Sequence, residues 1–214
     1  MQVIIPVDPM VKVVCVMAEG RGIYLSISQT AGCSVMKKNI PYWQVSGFLF
    51  TAVVGTFLHF LFDLTGGNPV AALVSAVNES IWEHLKLLFY PMVAFAVAEY
   101  FFWGKDWESF WCIKLVGILI GLILIPTVYY TYTGILGASA DWFNITIFFL
   151  VAGVVFWAET KLFQREFSCP LGWKLAVAVI CFIAVLFTVF TFAPPQILFF
   201  RDPMTGSYGF LGGM

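Results

Sequence analysis

Five apolar runs divide the chain, at residues 43–64, 85–103, 111–131, 141–160 and 173–192. Each approaches the roughly 20 residues that an α-helix needs to cross about 30 Å of hydrocarbon. The breaks between them are short and carry recognisable stop signals. Thr65-Gly66-Gly67-Asn68-Pro69 ends the first run. Asn68 suits a helix N-cap and Pro69 the first helical position, so a new helix is expected to start there. From Pro69 to Trp103 there is no glycine, and Pro91 is the only breaker. One helix of that length would be about 52 Å long, too long for the hydrocarbon even when tilted. The span is therefore expected at about 85–103. Residues 69–84 are expected to form an amphipathic helix that lies on the interface or dips back into the bundle. In the third run Gly117 and Gly121 have the four-residue spacing that lets helices approach closely, and Pro126 interrupts the backbone ladder. Ala193-Pro194-Pro195 ends the fifth run.

The predicted fold class is all-α: a polytopic membrane bundle of about five spanning helices plus the interfacial or re-entrant segment. Composition agrees. Of the 214 residues 61% are hydrophobic and 11% charged, whereas soluble domains are nearer 45–50% apolar. With a net charge of −1 the chain has no electrostatic footprint for nucleic acid. The expected surroundings are the lipid bilayer. The five cysteines are scattered, odd in number and without a C-x-x-C pair. They read as isolated thiols packed as small apolar groups, against a disulfide framework or a zinc ribbon.

Residues 1–35 differ in character from the rest of the chain. The apolar stretch 10–18 is too short to span, and no basic segment precedes it, so it is not a signal peptide. Met36-Lys37-Lys38, with Tyr42 and Trp43 shortly after, has the pattern of a membrane-protein start. Translation is expected to begin at Met36, leaving 1–35 as an extension or loose tail. Residues 36–192 form one membrane domain, and 193–214 an irregular tail. Lys37, Lys38, Lys105, Lys114, Lys161, Arg165 and Lys174 fall on or near one side of a five-span arrangement, and Lys86 and Arg201 on the other. The positive-inside rule then puts the N-terminus in the cytoplasm and the C-terminus outside, at the cell membrane.

Against this apolar background, Asn78-Glu79-Ser80-Ile81-Trp82-Glu83-His84-Leu85-Lys86 stands out. On a helix, Ser75, Asn78, Glu79, Trp82, Glu83 and Lys86 would share an arc of about 140°, with His84 pointing about 140° away from Glu79. His59 and Asp63 close the first run at the same level, and Asp141 and Asn144 open the fourth. Ionisable groups at membrane depth are costly and face a cavity or a partner. The ligand-binding candidates are His59, Asp63, Asn78, Glu79, Glu83, His84 and Lys86, expected to meet in one pocket in the outer leaflet. His59, Glu79, Glu83 and His84 have the donor types for a divalent metal ion. Glu99 is read as reaching the inner interface or pairing with Lys114, with a buried functional acid as the alternative, and Glu159 as part of a solvated loop.

The segment His59-Phe60-Leu61-Phe62-Asp63, together with the nine-residue motif at 78–86, resembles an uncharacterised family of small bacterial multi-pass membrane proteins. The hallmark of that family is N-E-S-x-W-E-H-x-K. The resemblance covers about 36–192, and members begin near the position of Met36. It implies a compact helical membrane fold and points to His59, Asn78, Glu79, Trp82, Glu83, His84 and Lys86. Asp63 stands where the family often has Glu. The resemblance implies no activity. Three readings stay open: a structural anchor, a site that binds or translocates a cation, proton or small polar solute, and a metal-dependent membrane-embedded enzyme. Binding linked to transport is preferred over catalysis.

Overall fold

The computed structural model describes residues 6–8, 11–16, 24–28, 30–165 and 167–210, with side chains from Asn39 onward. It divides into two units, Met1–Tyr42 and Trp43–Met214. In the first, strands β1 (Pro6–Asp8), β2 (Val11–Val16) and β3 (Tyr24–Ser28) form an antiparallel sheet in sequential order. Lys12 of β2 lies opposite both Pro6 and Ser28. Helix α1 (Thr30–Leu64) comes next and includes Met36.

The second unit is all-α. It holds the rest of α1, a single turn α2 (Pro69–Ala72), and α3 (Ile81–Phe102), α4 (Phe110–Leu136), α5 (Asp141–Gln164) and α6 (Trp173–Phe192). Five of these helices are long and apolar enough to cross a membrane. α6 is the most apolar of the five and the least buried, with 22% of its central window inside the protein. That inversion is unfavourable in water and natural in lipid, where outward faces meet hydrocarbon. Val53 (70% exposed), Phe102 (74%) and Trp157 (63%) carry the same message from α1, α3 and α5.

Helix α4 is central, packing against α3, α5 and α6. Its two spaced glycines serve different neighbours. A Cβ on Gly117 would lie 2.2 Å from a Glu159 carboxylate oxygen on α5, and one on Gly121 would lie 2.3 Å from a Leu88 methyl on α3. The main core runs along this helix through Leu88, Phe89, Ile118, Val155, Phe156, Ala176 and Phe187. On α1, a Cβ at Gly55 would lie 2.6 Å from the Leu87 carbonyl oxygen of α3.

Two expectations need correction. The helix predicted over 69–84 is four residues long, and α3 starts four residues earlier than expected, at Ile81. The reason is capping. Asn68 accepts a 2.8 Å bond from Val70 N–H and starts α2. Asn78 Oδ1 then accepts from Ser80 N–H at 3.0 Å, and Ser80 caps α3 by accepting from Glu83 N–H at 3.4 Å. Ser and Asn compete with the helix for backbone partners and win here. The cysteines are also not all isolated. Cys112, at the start of α4, is bonded to Cys169 between α5 and α6, a separation of 57 residues that leaves no local sequence pattern. Cys181 is free and exposed; the side chains of Cys15 and Cys33 lie outside the described residues.

The tail beyond α6 is irregular but docked. A single 3-10 turn (Leu198–Phe200) and an Arg201–Tyr208 bridge shape it. Phe210 packs on Phe62 and Phe192.

Gly55→Ala pushes a methyl into backbone, which cannot move without displacing a helix. It is expected to cost about 1–3 kcal/mol. Gly134→Ala, on the exposed side of α4 with nothing within 4 Å, is expected to be neutral or to gain up to about 1 kcal/mol in helix propensity. Unfolding in detergent measures both, and equal losses in the two variants would contradict the packing described.

Candidate functional site

The capped break before α3 decides where the motif residues go. Glu79 lies outside the helix, between the Asn78 turn and the Ser80 cap. Its side chain is therefore free of the angular separation that a continuous helix would impose. It reaches His84 of α3, with Oε2 3.3 Å from Nε2, and approaches His59 of α1, with Oε1 4.0 Å from Nε2. The two imidazole rings are 5.2 Å apart between centroids. One ligand atom from each of His59, Glu79 and His84 can be chosen so that all lie within 4.8 Å of one another. The cluster is half-open: His59 and His84 are 31% exposed and Glu79 is 49% exposed.

The protonation of His84 is constrained. Its Nδ1 lies 2.9 Å from the Ser80 carbonyl oxygen, which can only accept. Nδ1 therefore carries hydrogen, and Nε2 faces Glu79. Metal-bound histidines are commonly held this way, with the far nitrogen donating to a backbone carbonyl. On His59, Nδ1 is buried without a hydrogen-bond partner among the described residues. Glu79 is held below the ordinary carboxylate range, first by the hydrogen bond from His84, then by the charges of His84 and His59, with burial opposing.

The other motif residues form a different structure. Glu83 and Lys86, one turn apart on α3, are 1% and 0% exposed and form a 2.5 Å ion pair. Lys86 also donates to the Ala72 carbonyl at 2.8 Å and to Thr191 Oγ1 of α6 at 3.0 Å, so all three of its N–H groups are used. Glu83 accepts from Val77 N–H at 3.1 Å and lies 2.9 Å from Thr191 Oγ1. This pair is neutral and fully hydrogen-bonded. Trp82 packs among Phe187, Phe190, Phe199 and Phe200. The Asn78 amide donates to the Gly209 carbonyl of the tail at 3.4 Å.

The single pocket expected from the sequence is thus two arrangements at one end of the bundle. His59, Glu79 and His84 come together; Glu83 and Lys86 do not join them. Asp63 lies one turn beyond His59, exposed, with no ion pair among the described residues. Asn144 is bonded instead to Tyr132 and Ser139. Thr191 is absent from the expected set, because nothing in the fifth apolar run marks one threonine among several. The Ser80-x-x-Glu83 spacing does hold a visible clue, since it is the pattern of a capping box. Here Ser80 caps the helix, while the Glu83 side chain is drawn to Lys86 and Val77.

Lys114 pairs with Glu99, as one of the readings expected. It pairs with Glu159 as well, at 2.7 Å. Glu159 is 0% exposed, so its placement in a solvated loop is corrected.

The chain belongs to a family of unknown function (DUF6512), whose model matches residues 34–210. No curated protein and no solved structure matches the chain.

Because the folded-state value of Glu79 lies below its unfolded one, its stabilising share is present above the ordinary carboxylate range. That share is lost as pH falls through the folded value. The melting temperature of the wild type should therefore fall more steeply toward acid than that of Glu79→Gln. The difference is expected to be modest, because the group is half exposed. Parallel pH profiles would show that the His84–Glu79 contact contributes nothing.

Proposed function

We propose that this family member is a multi-pass membrane protein that binds a divalent cation at His59, Glu79 and His84. The observation that carries the reading is the convergence of two imidazoles and one carboxylate from three separate segments. Imidazole and carboxylate together suit zinc and similar borderline ions. The Ser80 carbonyl supports the reading by orienting His84. Partial exposure supports it too, because a cation can enter and leave. Three protein ligands leave a coordination position for water or solute. That open position is also what a catalytic zinc uses, which keeps a metal-dependent hydrolase as the second reading. Binding linked to translocation is preferred, since the cluster stands at the end of the bundle beside the connection between α1 and α3.

The test is zinc titration of chelator-stripped protein. Zinc should bind at one ion per chain, and His59→Ala and His84→Ala should each weaken it by about 10-fold or more, at least the loss seen for lesser ligand perturbations. Cys181→Ser, at an exposed thiol of α6 outside the cluster, should leave affinity unchanged. Equal binding in all variants would end the proposal. Zinc uptake into proteoliposomes separates translocation from binding alone.

For orientation, the lysine and arginine distribution favours a cytoplasmic N-terminus and an outer C-terminus. The Cys112–Cys169 pair lies at the lysine-rich end. A cytoplasmic position there would keep both thiols reduced in the cell. The bond in the structure opposes the lysine bias; acid-quenched thiol trapping from intact cells decides, a bonded pair placing that end outside and free thiols placing it in the cytoplasm.

A further inference from the structure

At the end of the bundle opposite the histidines lies a second polar cluster, with a different balance of charge. Glu99 of α3 and Glu159 of α5 flank Lys114 of α4, and Gln44 of α1 joins them. The Lys114 ammonium is 2.7 Å from Glu159 Oε2 and is also ion-paired with Glu99 Oε2. The Gln44 amide donates to Glu99 Oε1 at 3.2 Å. Both carboxylates are 0% exposed, and Lys114 and Gln44 are 2% exposed. The rings of Phe110, Phe156 and Phe163 surround the ammonium at 5.6, 5.9 and 5.6 Å. Among the described residues, these are the charged groups that face one another here.

The count is two carboxylates against one ammonium. Fully ionised, the cluster would carry a net charge of −1 inside an apolar bundle, a costly state without a further cation. The Glu83–Lys86 pair shows the alternative: one of each sign, every donor of Lys86 used. In the second cluster, three of the four carboxylate oxygens face a donor. The fourth, Glu159 Oε1, is buried without a hydrogen-bond partner among the described residues. It is also the oxygen that Gly117 accommodates, since a Cβ there would lie 2.2 Å from it. The helix surface is thus opened around one carboxylate oxygen that receives no donor.

We propose that Glu99 and Glu159 together hold one exchangeable proton over Lys114, so that this cluster is a buried proton-binding site. The proton comes from water at that end of the bundle. Its uptake converts one carboxylate to a carboxylic acid and brings the cluster to neutrality, with no other bond made or broken. Glu159 Oε1 is the oxygen that takes it. Intramembrane acids in such settings are the usual parts of proton relays. The proposal does not depend on cation binding at His59.

Infrared difference spectroscopy of the purified protein across pH tests it through the carbonyl stretch of a protonated carboxyl. At about pH 6, well above the ordinary glutamate value near 4.3, the wild type should show one such buried acid. Glu159→Gln and Glu99→Gln should each abolish it, because the remaining carboxylate then balances Lys114 alone. Asp141→Asn, at an exposed carboxylate that opens α5, should leave it intact. Absence of the band in the wild type, or its persistence in both Glu99→Gln and Glu159→Gln, would overturn the proposal. If one of the two variants fails to fold, the other, read against the wild type, decides.

Discussion

The Lys86 ammonium holds the histidine end of this protein together. Its three N–H groups reach a carboxylate on its own helix, a backbone carbonyl in the preceding connection and a threonine on the last helix. A buried ammonium without partners would be strongly destabilising, and removing one member of such a pair typically costs about 3–5 kcal/mol. The connection between α1 and α3, which includes α2, therefore cannot drift away from the bundle without stripping Lys86 of a bond. Its anchoring keeps Ala72, Val77 and Ser80 packed and leaves Glu79 beside two histidines on different helices. The tail closes over the same region through Phe210 and the Asn78–Gly209 contact. The nine-residue motif thus combines two tasks: half of it locks the chain, and the other half presents donor atoms.

The two ends of the bundle solve one problem, charge in an apolar setting, in opposite ways. Around Lys86 the charges cancel and the hydrogen bonds are complete, which suits a structural lock. Around Lys114 a second carboxylate is present and one oxygen has no donor. The first arrangement resists change of state; the second is the one proposed to take up a proton. The His59 cluster differs from both, being half-open and built from groups that bind either protons or metals near neutral pH. The proposed cation site and the proposed proton site lie at opposite ends of the bundle, the arrangement that coupled movement of two ions would need.

Much of this architecture is legible in the chain. The five crossings follow from long apolar runs, and the bounds of the last run are those of α6. Periodicity serves less well where polar groups are dense. Treating 75–86 as one helix puts Glu79 and His84 on different faces. Asn78 and Ser80 instead break the helix and cap the next one, so two residues that would diverge meet. Glu159 is misplaced for a related reason: proximity to Lys161 and Arg165 in sequence suggests solvent, but its helix phase turns it inward to Lys114. The Cys112–Cys169 bond joins segments that only the packing of α4 beside α5 brings near each other.

By itself, the amino-acid sequence determined the solvent of this protein, the number of its crossings and the short list of residues able to carry chemistry. Those properties are local sums of hydrophobicity and residue type. Which of those residues face one another was decided only in three dimensions. Partners such as His59 and Glu79, Glu83 and Thr191, or Lys114 and Glu159 are far apart along the chain. Their meeting depends on helix phase, on where a cap interrupts a helix, and on the need of every buried charge for a counterpart, which a one-dimensional pattern does not encode.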